Sequence, residues 1–157
     1  MKIVLEHTSN FSARLIQFWM VIDALVHLKK PTFTYNHSLI EHDGYVWEAI
    51  AGGVRQWTVQ EHYAQDKYRK PYQTKEIELD LNGIELNKAI GYLNKQVGKK
   101  YEFANFLFHI LNTFVEWRGS VTDRKLYCYE LIIRTMNFTK KWNLDIFLNP
   151  REFNELF

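Results

Sequence analysis

The stretch YNHSLIEHDGYVWEAIAGGV, residues 35–54, sets β-branched, aromatic and polar side chains on either side of Asp43-Gly44. Asp-Gly between two such runs is a strong hairpin signal, because the tightest two-residue turn needs positive φ at both central positions. Strands are therefore expected at about 33–41 and 45–50, with Gly52-Gly53 ending the second. A turn at Asp43-Gly44 sets His37 opposite Ile50 with Glu48 on the diagonal. A turn at His42-Asp43 sets His37 directly opposite Glu48. Both registers put His37 and Glu48 on one face of the sheet, within side-chain reach, whereas a three-residue loop breaks that parity.

Working outward, KIVLE at 2–6 reads as a short strand, and Phe11, Leu15, Phe18, Trp19, Ile22, Leu25 and Val26 recur at helical spacing. Ser9 or Asn10 can cap that helix, and Pro31 closes it. After the hairpin, 58–69 reads as a short helix. TKEIELDL at 74–81 alternates like a half-buried strand, and 82–98 is a helix with Asn82 as cap and Gly98 as stop. Residues 101–117 form a more apolar helix, KLYCYELIIRTMNF (125–138) a buried one, and Pro150 opens a last short helix. Strands come early and helices late, which predicts an α+β fold with an antiparallel sheet over a single domain spanning 1–157.

Composition narrows the function classes. Apolar residues make up 46% and charged residues 24%, as in an ordinary globular domain long enough to bury about two-thirds of its unfolded surface. Net charge is +2, from 20 basic and 18 acidic side chains, so no nucleic-acid partner is expected; the basic run at 66–72 reads as a solvated helix end. One cysteine forms no internal disulfide and no Cys-rich zinc site. Glu6, Arg14 and Asp23 interrupt the N-terminal apolar runs, which argues against a signal peptide, and no apolar run is long enough to span a bilayer. A cytoplasmic location is the simplest expectation. No cofactor is expected. A metal site on His37, Glu41 and His42 is disfavoured, since alternation sends 41 and 42 to opposite faces.

Cys128 is the residue on which function turns. Taken alone it reads as core filler, sharing a helix face with Leu131 and Ile132. A thiol nucleophile needs an imidazole and a polar group to orient it. His27 and His109 sit in apolar helices, His42 sits beside the turn, and neither His7 nor His62 has an evident carboxylate arranged with it. His37 has Glu48, a pairing as readily structural as functional. Glu48 on one ring nitrogen would leave the other to take the thiol proton.

The ordered segments FSARLIQFW (11–19), YNHSLI (35–40), YVWEAIAGGV (45–54), VGKKYEF (97–103), LYCYELI (126–132) and NPREF (149–153) resemble the permuted NlpC/P60 group of papain-like proteins, over roughly residues 1–155. That branch includes YiiX-type and lecithin:retinol acyltransferase-type members. The resemblance implies a circularly permuted papain-like fold, with Cys128 as nucleophile, His37 as base and Glu48 as the orienting residue. Tyr127 and Tyr101 match aromatic positions flanking the site. Tyr129 stands where many relatives have a small residue, and Ser38-Leu39-Ile40 where many have a Gly; Tyr129 and Trp47 are further candidates to line or fill a cleft. The implied activity is a thiol hydrolase acting on an amide or ester through an acyl-enzyme, with a small-molecule, peptide or lipid-like substrate. Acyl transfer by the same triad and a non-catalytic binding protein are the alternatives.

Overall fold

The computed structural model describes residues 1–8, 11–26, 28, 35–64, 73–101, 125–126, 128–144, 153 and 156. Within them the fold is α+β, built on a five-stranded sheet in which every neighbouring pair is antiparallel. The strands are β1 (Lys2–His7), β2 (His37–His42), β3 (Tyr45–Ile50), β4 (Gly53–Thr58) and β5 (Gln73–Glu78), in spatial order β4-β3-β2-β1-β5. The helices are α1 (Phe11–Val26), α2 (Val59–Ala64), α3 (Gly83–Gln96) and α4 (Cys128–Phe138). Two short strands, β6 (Lys100–Tyr101) and β7 (Lys125–Leu126), pair in parallel beside them. Tyr101, expected to open a helix, lies instead in β6. The rest of that helix (102–117), the caps expected at Ser9 or Asn10, the stop at Pro31, all but residues 153 and 156 of the C-terminal helix, the basic run and the histidines at 27 and 109 lie outside the described residues.

The β2–β3 turn is the two-residue one: Asp43 and Gly44 both take positive φ, 48° and 77°. The ladder runs Leu39 to Glu48, Ile40 to Trp47 and His42 to Tyr45. That is the register with Glu48 diagonal to His37.

Two points depart from expectation. The second strand ends at Ile50 before Gly52-Gly53, as expected, but Gly53 also opens an unexpected strand, β4, which pairs along all of β3. Glycine serves a turn between strands as readily as a stop, and Gly53 is required for a further reason. Its φ is 108°, and a Cβ there would press on the Lys99 carbonyl oxygen. Val54 in turn donates its N–H to that carbonyl at 2.8 Å, fastening β4 to the chain leaving α3. The second correction concerns residues 125–126, which pair as β7, so the helix starts at Cys128.

Strand alternation divides the sheet into two faces. Ile3, Leu5, Ile40, Trp47, Ala49 and Val54 form the larger apolar face, against which Leu131, Ile132, Ile133 and Met136 of α4 and Leu93 of α3 pack. Val4, Leu39 and Val46 form a smaller apolar patch on the other face, with Val59 of α2 against it. Glu6, His37 and Glu48 share this second face, because Glu6 pairs with His37 and Leu39 with Glu48.

Helix ends follow local chemistry. Asn82 and Glu85 form a reciprocal capping box at α3, and Gly98 follows that helix with φ 86°. Thr58 and Glu61 exchange backbone and side-chain bonds at the start of α2. Val59 also donates to the Gly44 carbonyl at 2.9 Å, so α2 is tied to the hairpin turn. Among the described residues no helix is long and apolar enough to cross a membrane.

Candidate active site

The sheet and α4 bring the three sequence-derived residues together. His37 Nε2 lies 2.9 Å from Glu48 Oε2. Cys128 lies close enough to the same imidazole for its side chain to raise the His37 pKa. Since Glu48 holds Nε2, Nδ1 is the ring nitrogen left for the sulfur. Cys128 is the first residue of α4, where backbone N–H groups without helical partners and the positive end of the helix dipole favour negative charge.

Neighbouring residues fix this geometry from both sides. Asn36, buried just before His37, clamps the end of β1. Thr8 donates its N–H to Asn36 Oδ1 at 2.9 Å, and Asn36 Nδ2 donates to the Thr8 carbonyl at 2.8 Å. One residue earlier, the Tyr35 carbonyl accepts a 2.8 Å bond from the hydroxyl of Tyr129, the residue that follows the cysteine. His37 and Cys128 are thus linked through their chain neighbours.

Tyr129 is 0% exposed and meets Phe153 edge-on with ring centroids 5.1 Å apart. Its side chain fills core. Trp47 is likewise buried, on the α4 face, and its indole donates to Asn94 at 3.1 Å. Neither ring occupies the His37 side of the sheet. Tyr101, in β6, is close enough that negative charge at Cys128, added to burial, pushes its phenol pKa up. Tyr127 lies outside the described residues. Because Tyr129 is enclosed, Tyr129→Phe leaves a buried carbonyl without its donor. A loss of about 1–3 kcal/mol in urea denaturation is expected.

Local reasoning missed two further members. His62, on α2, sits between two carboxylates. Its Nδ1 is 3.2 Å from Glu48 Oε1, and its Nε2 is 3.6 Å from Glu6 Oε1, an ion-pair distance longer than a hydrogen bond. The expectation that no carboxylate is arranged with His62 is thereby overturned. The only local signal was the Thr58–Glu61 capping pattern, which fixes where α2 begins but not what it faces. His7 instead bonds Gln17 at 2.7 Å. Among the described residues no group of three His, Cys, Asp or Glu side chains is arranged to hold a metal ion.

Electrostatics follow from this packing. Burial disfavours a charged His37, but its bonds to Cys128 and Glu48 outweigh that and raise its pKa well above the usual imidazole value. Burial also opposes ionisation of Glu48, yet bonds from His37 and His62 hold its carboxyl far below the usual range. For His62, burial lowers and Glu48 and Glu6 raise, with a net shift to about 9.

A pH dependence of stability results. The depressed Glu48 contributes stability that is present above its unfolded value near 4.5 and is lost as pH falls below it. The raised His62 contributes stability that is complete below 6.5 and is lost as pH rises toward about 9. Urea midpoints measured against pH are therefore expected to peak between about 4.5 and 6.5 and to decline on both sides. A midpoint still rising from pH 6.5 to 9 would contradict the charged His62.

No protein-family model matches the chain, and no curated protein matches it in sequence.

Proposed function

We propose that this protein is a cysteine hydrolase of the permuted NlpC/P60, papain-like kind, working through Cys128, His37 and Glu48. One observation carries the reading: a half-buried imidazole held by a buried carboxylate at 2.9 Å and set beside a thiol at a helix N-terminus. A merely structural histidine has no need of both partners.

In this reading His37 carries a proton and faces a thiolate. The sulfur attacks an amide or ester carbonyl, and the backbone N–H of Cys128 donates to the developing oxyanion. His37 hands its proton to the leaving amine or alcohol, and the C–N or C–O bond breaks. A water then gives its proton to His37 and attacks the thioester, which releases the acid and restores the thiol pair. Glu48 keeps the ring oriented and offsets its charge throughout. The chemistry uses protein groups alone. Within the resembled group, substrates divide between cell-wall peptide links and lipid esters or amides.

Iodoacetamide alkylation followed by mass spectrometry tests the activated thiol. At pH 6 an ordinary thiol is almost entirely protonated, so Cys128 is expected to alkylate about 10-fold faster than glutathione. A rate equal to or below that of glutathione would sink the proposal. One observation favours a second reading, a non-catalytic binding protein on the same fold: Cys128 is only 2% exposed. Slow alkylation with no dependence on His37 would support it.

A further inference from the structure

The triad does not account for the second histidine and second carboxylate buried behind it. Glu48 is bidentate in a specific sense: Oε2 meets His37 and Oε1 meets His62. Beyond His62 stands Glu6, whose Oε1 is buried and makes no hydrogen bond. The four side chains come from four elements, β1, β2, β3 and α2, and line one face of the sheet. Enclosing imidazoles and carboxylates together is costly unless acidic and basic groups alternate. Here they do, in the order Glu6, His62, Glu48, His37.

We propose that His62, set between Glu48 and Glu6, is a positioning residue for the thiol site. It anchors one oxygen of Glu48 so that the other stays on His37, and its charge limits how tightly Glu48 holds the His37 proton. This inference rests on the hydrolase reading of Cys128, and it adds a requirement that a three-residue site lacks. A carboxylate facing His37 alone would grip the imidazolium so strongly that proton release to a leaving group would be impeded. A second cation on the far oxygen counters that pull. The groups facing His62 are Glu6 from β1, Glu48 from β3 and the Tyr63 ring of its own helix, with centroids 4.8 Å apart, while His37 from β2 lies on the other oxygen of Glu48. Lys2, Glu41 and Glu76 form an ion-paired cluster farther along the same face. The upward shift of His62 to about 9 agrees with a cation held across the neutral range.

The test needs no substrate. In the full chain, the ring Cε1–H of His37 is titrated by proton NMR, assigned by its loss in His37→Ala, and Cys128 alkylation by iodoacetamide is timed at pH 6. Two imidazoles bridged by one carboxylate lie roughly 6 Å apart, so at an effective dielectric of about 20 their mutual repulsion amounts to one or more pH units. His62→Leu is therefore expected to raise the His37 midpoint by about one unit and to slow alkylation about 5-fold through loss of the Glu48 anchor. His62→Asn keeps an N–H for Glu48 without the charge. It should show the raised midpoint with alkylation near the wild-type rate, a split that a purely structural role would not produce. Glu6→Gln should lower the His62 midpoint by about one unit, and it carries the test if His62→Leu fails to fold. A His37 midpoint within about 0.2 units of wild type in His62→Asn overturns the proposal while leaving the triad standing. A wild-type Cys128 no faster than glutathione overturns both, by a separate measurement.

Discussion

His37→Ala is expected to cut turnover of a p-nitrophenyl ester about 10³-fold while slowing alkylation of Cys128 only about 10-fold. The two numbers differ because the proposed mechanism gives the imidazole two tasks. Alkylation needs only the thiolate. At pH 6 a thiol of ordinary pKa is ionised to well under about 1%, so full ionisation multiplies the reactive form by about 10². A more acidic thiol is a weaker nucleophile, which returns about a tenfold factor of that gain. Turnover also needs a base to activate water against the thioester, and removing a positioned general base costs about 10²–10⁴. Stopped-flow release of p-nitrophenolate separates the two: the variant should retain a slow acylation phase and lose steady-state turnover. Equal losses in both assays would mean that the ring only supports the structure.

The second large effect concerns stability. Glu48→Leu removes the carboxylate shared by His37 and His62, leaving His62 only the longer 3.6 Å pairing with Glu6 and taking from His37 its carboxylate. Removing one partner of a buried ion pair costs about 3–5 kcal/mol, and here two pairs lose the same partner. Loss of about 4 kcal/mol at pH 6 is expected in urea denaturation, against a total stability of about 5–15 kcal/mol for a domain. The double variant Glu48→Leu/His62→Leu should be less destabilised than the sum of the single changes, because the second removes a group the first left stranded. Additivity within about 0.5 kcal/mol would show that His62 and Glu48 are energetically independent. Glu48→Gln, which preserves a hydrogen-bonding shape, should fall between wild type and Glu48→Leu.

The hairpin half of the site was legible because its determinants are local. Asp43-Gly44 sets the turn, the turn sets the register, and period-two alternation puts His37 and Glu48 on one face. The Asn82 cap and the start of α3 were readable for the same reason. His62 was not, and the cause is traceable. Gly52-Gly53 looks like a strand end, so β4 went unread; without β4 there is nothing to swing α2 back over the sheet, and His62 has no visible neighbour. Glu6 was hidden by a non-local pairing, since β1 meets β2 only after the whole of α1 intervenes. Tyr129 seemed to crowd the nucleophile because sequence adjacency suggests spatial adjacency. On a helix, consecutive residues diverge by about 100°. The Tyr129 ring therefore enters the core and bonds Tyr35 beneath the site.

That Tyr129–Tyr35 bond joins residues 94 apart, whereas His37 and Glu48 are separated by only 11. Loop closure grows as the logarithm of separation, so bringing α4 to the hairpin costs about 2 kcal/mol more entropy than forming the hairpin itself. Contacts of such long range form late in folding. The imidazole and its carboxylate are thus expected to be in place while the thiol is still distant and unactivated. Under the proposed mechanism, nucleophilicity then arises only in the final folding step, and a partly folded chain carries an ordinary cysteine, sparing its surroundings a reactive sulfur. Pulsed iodoacetamide during refolding would show this as labelling at the glutathione rate until native fluorescence returns, then at the faster rate.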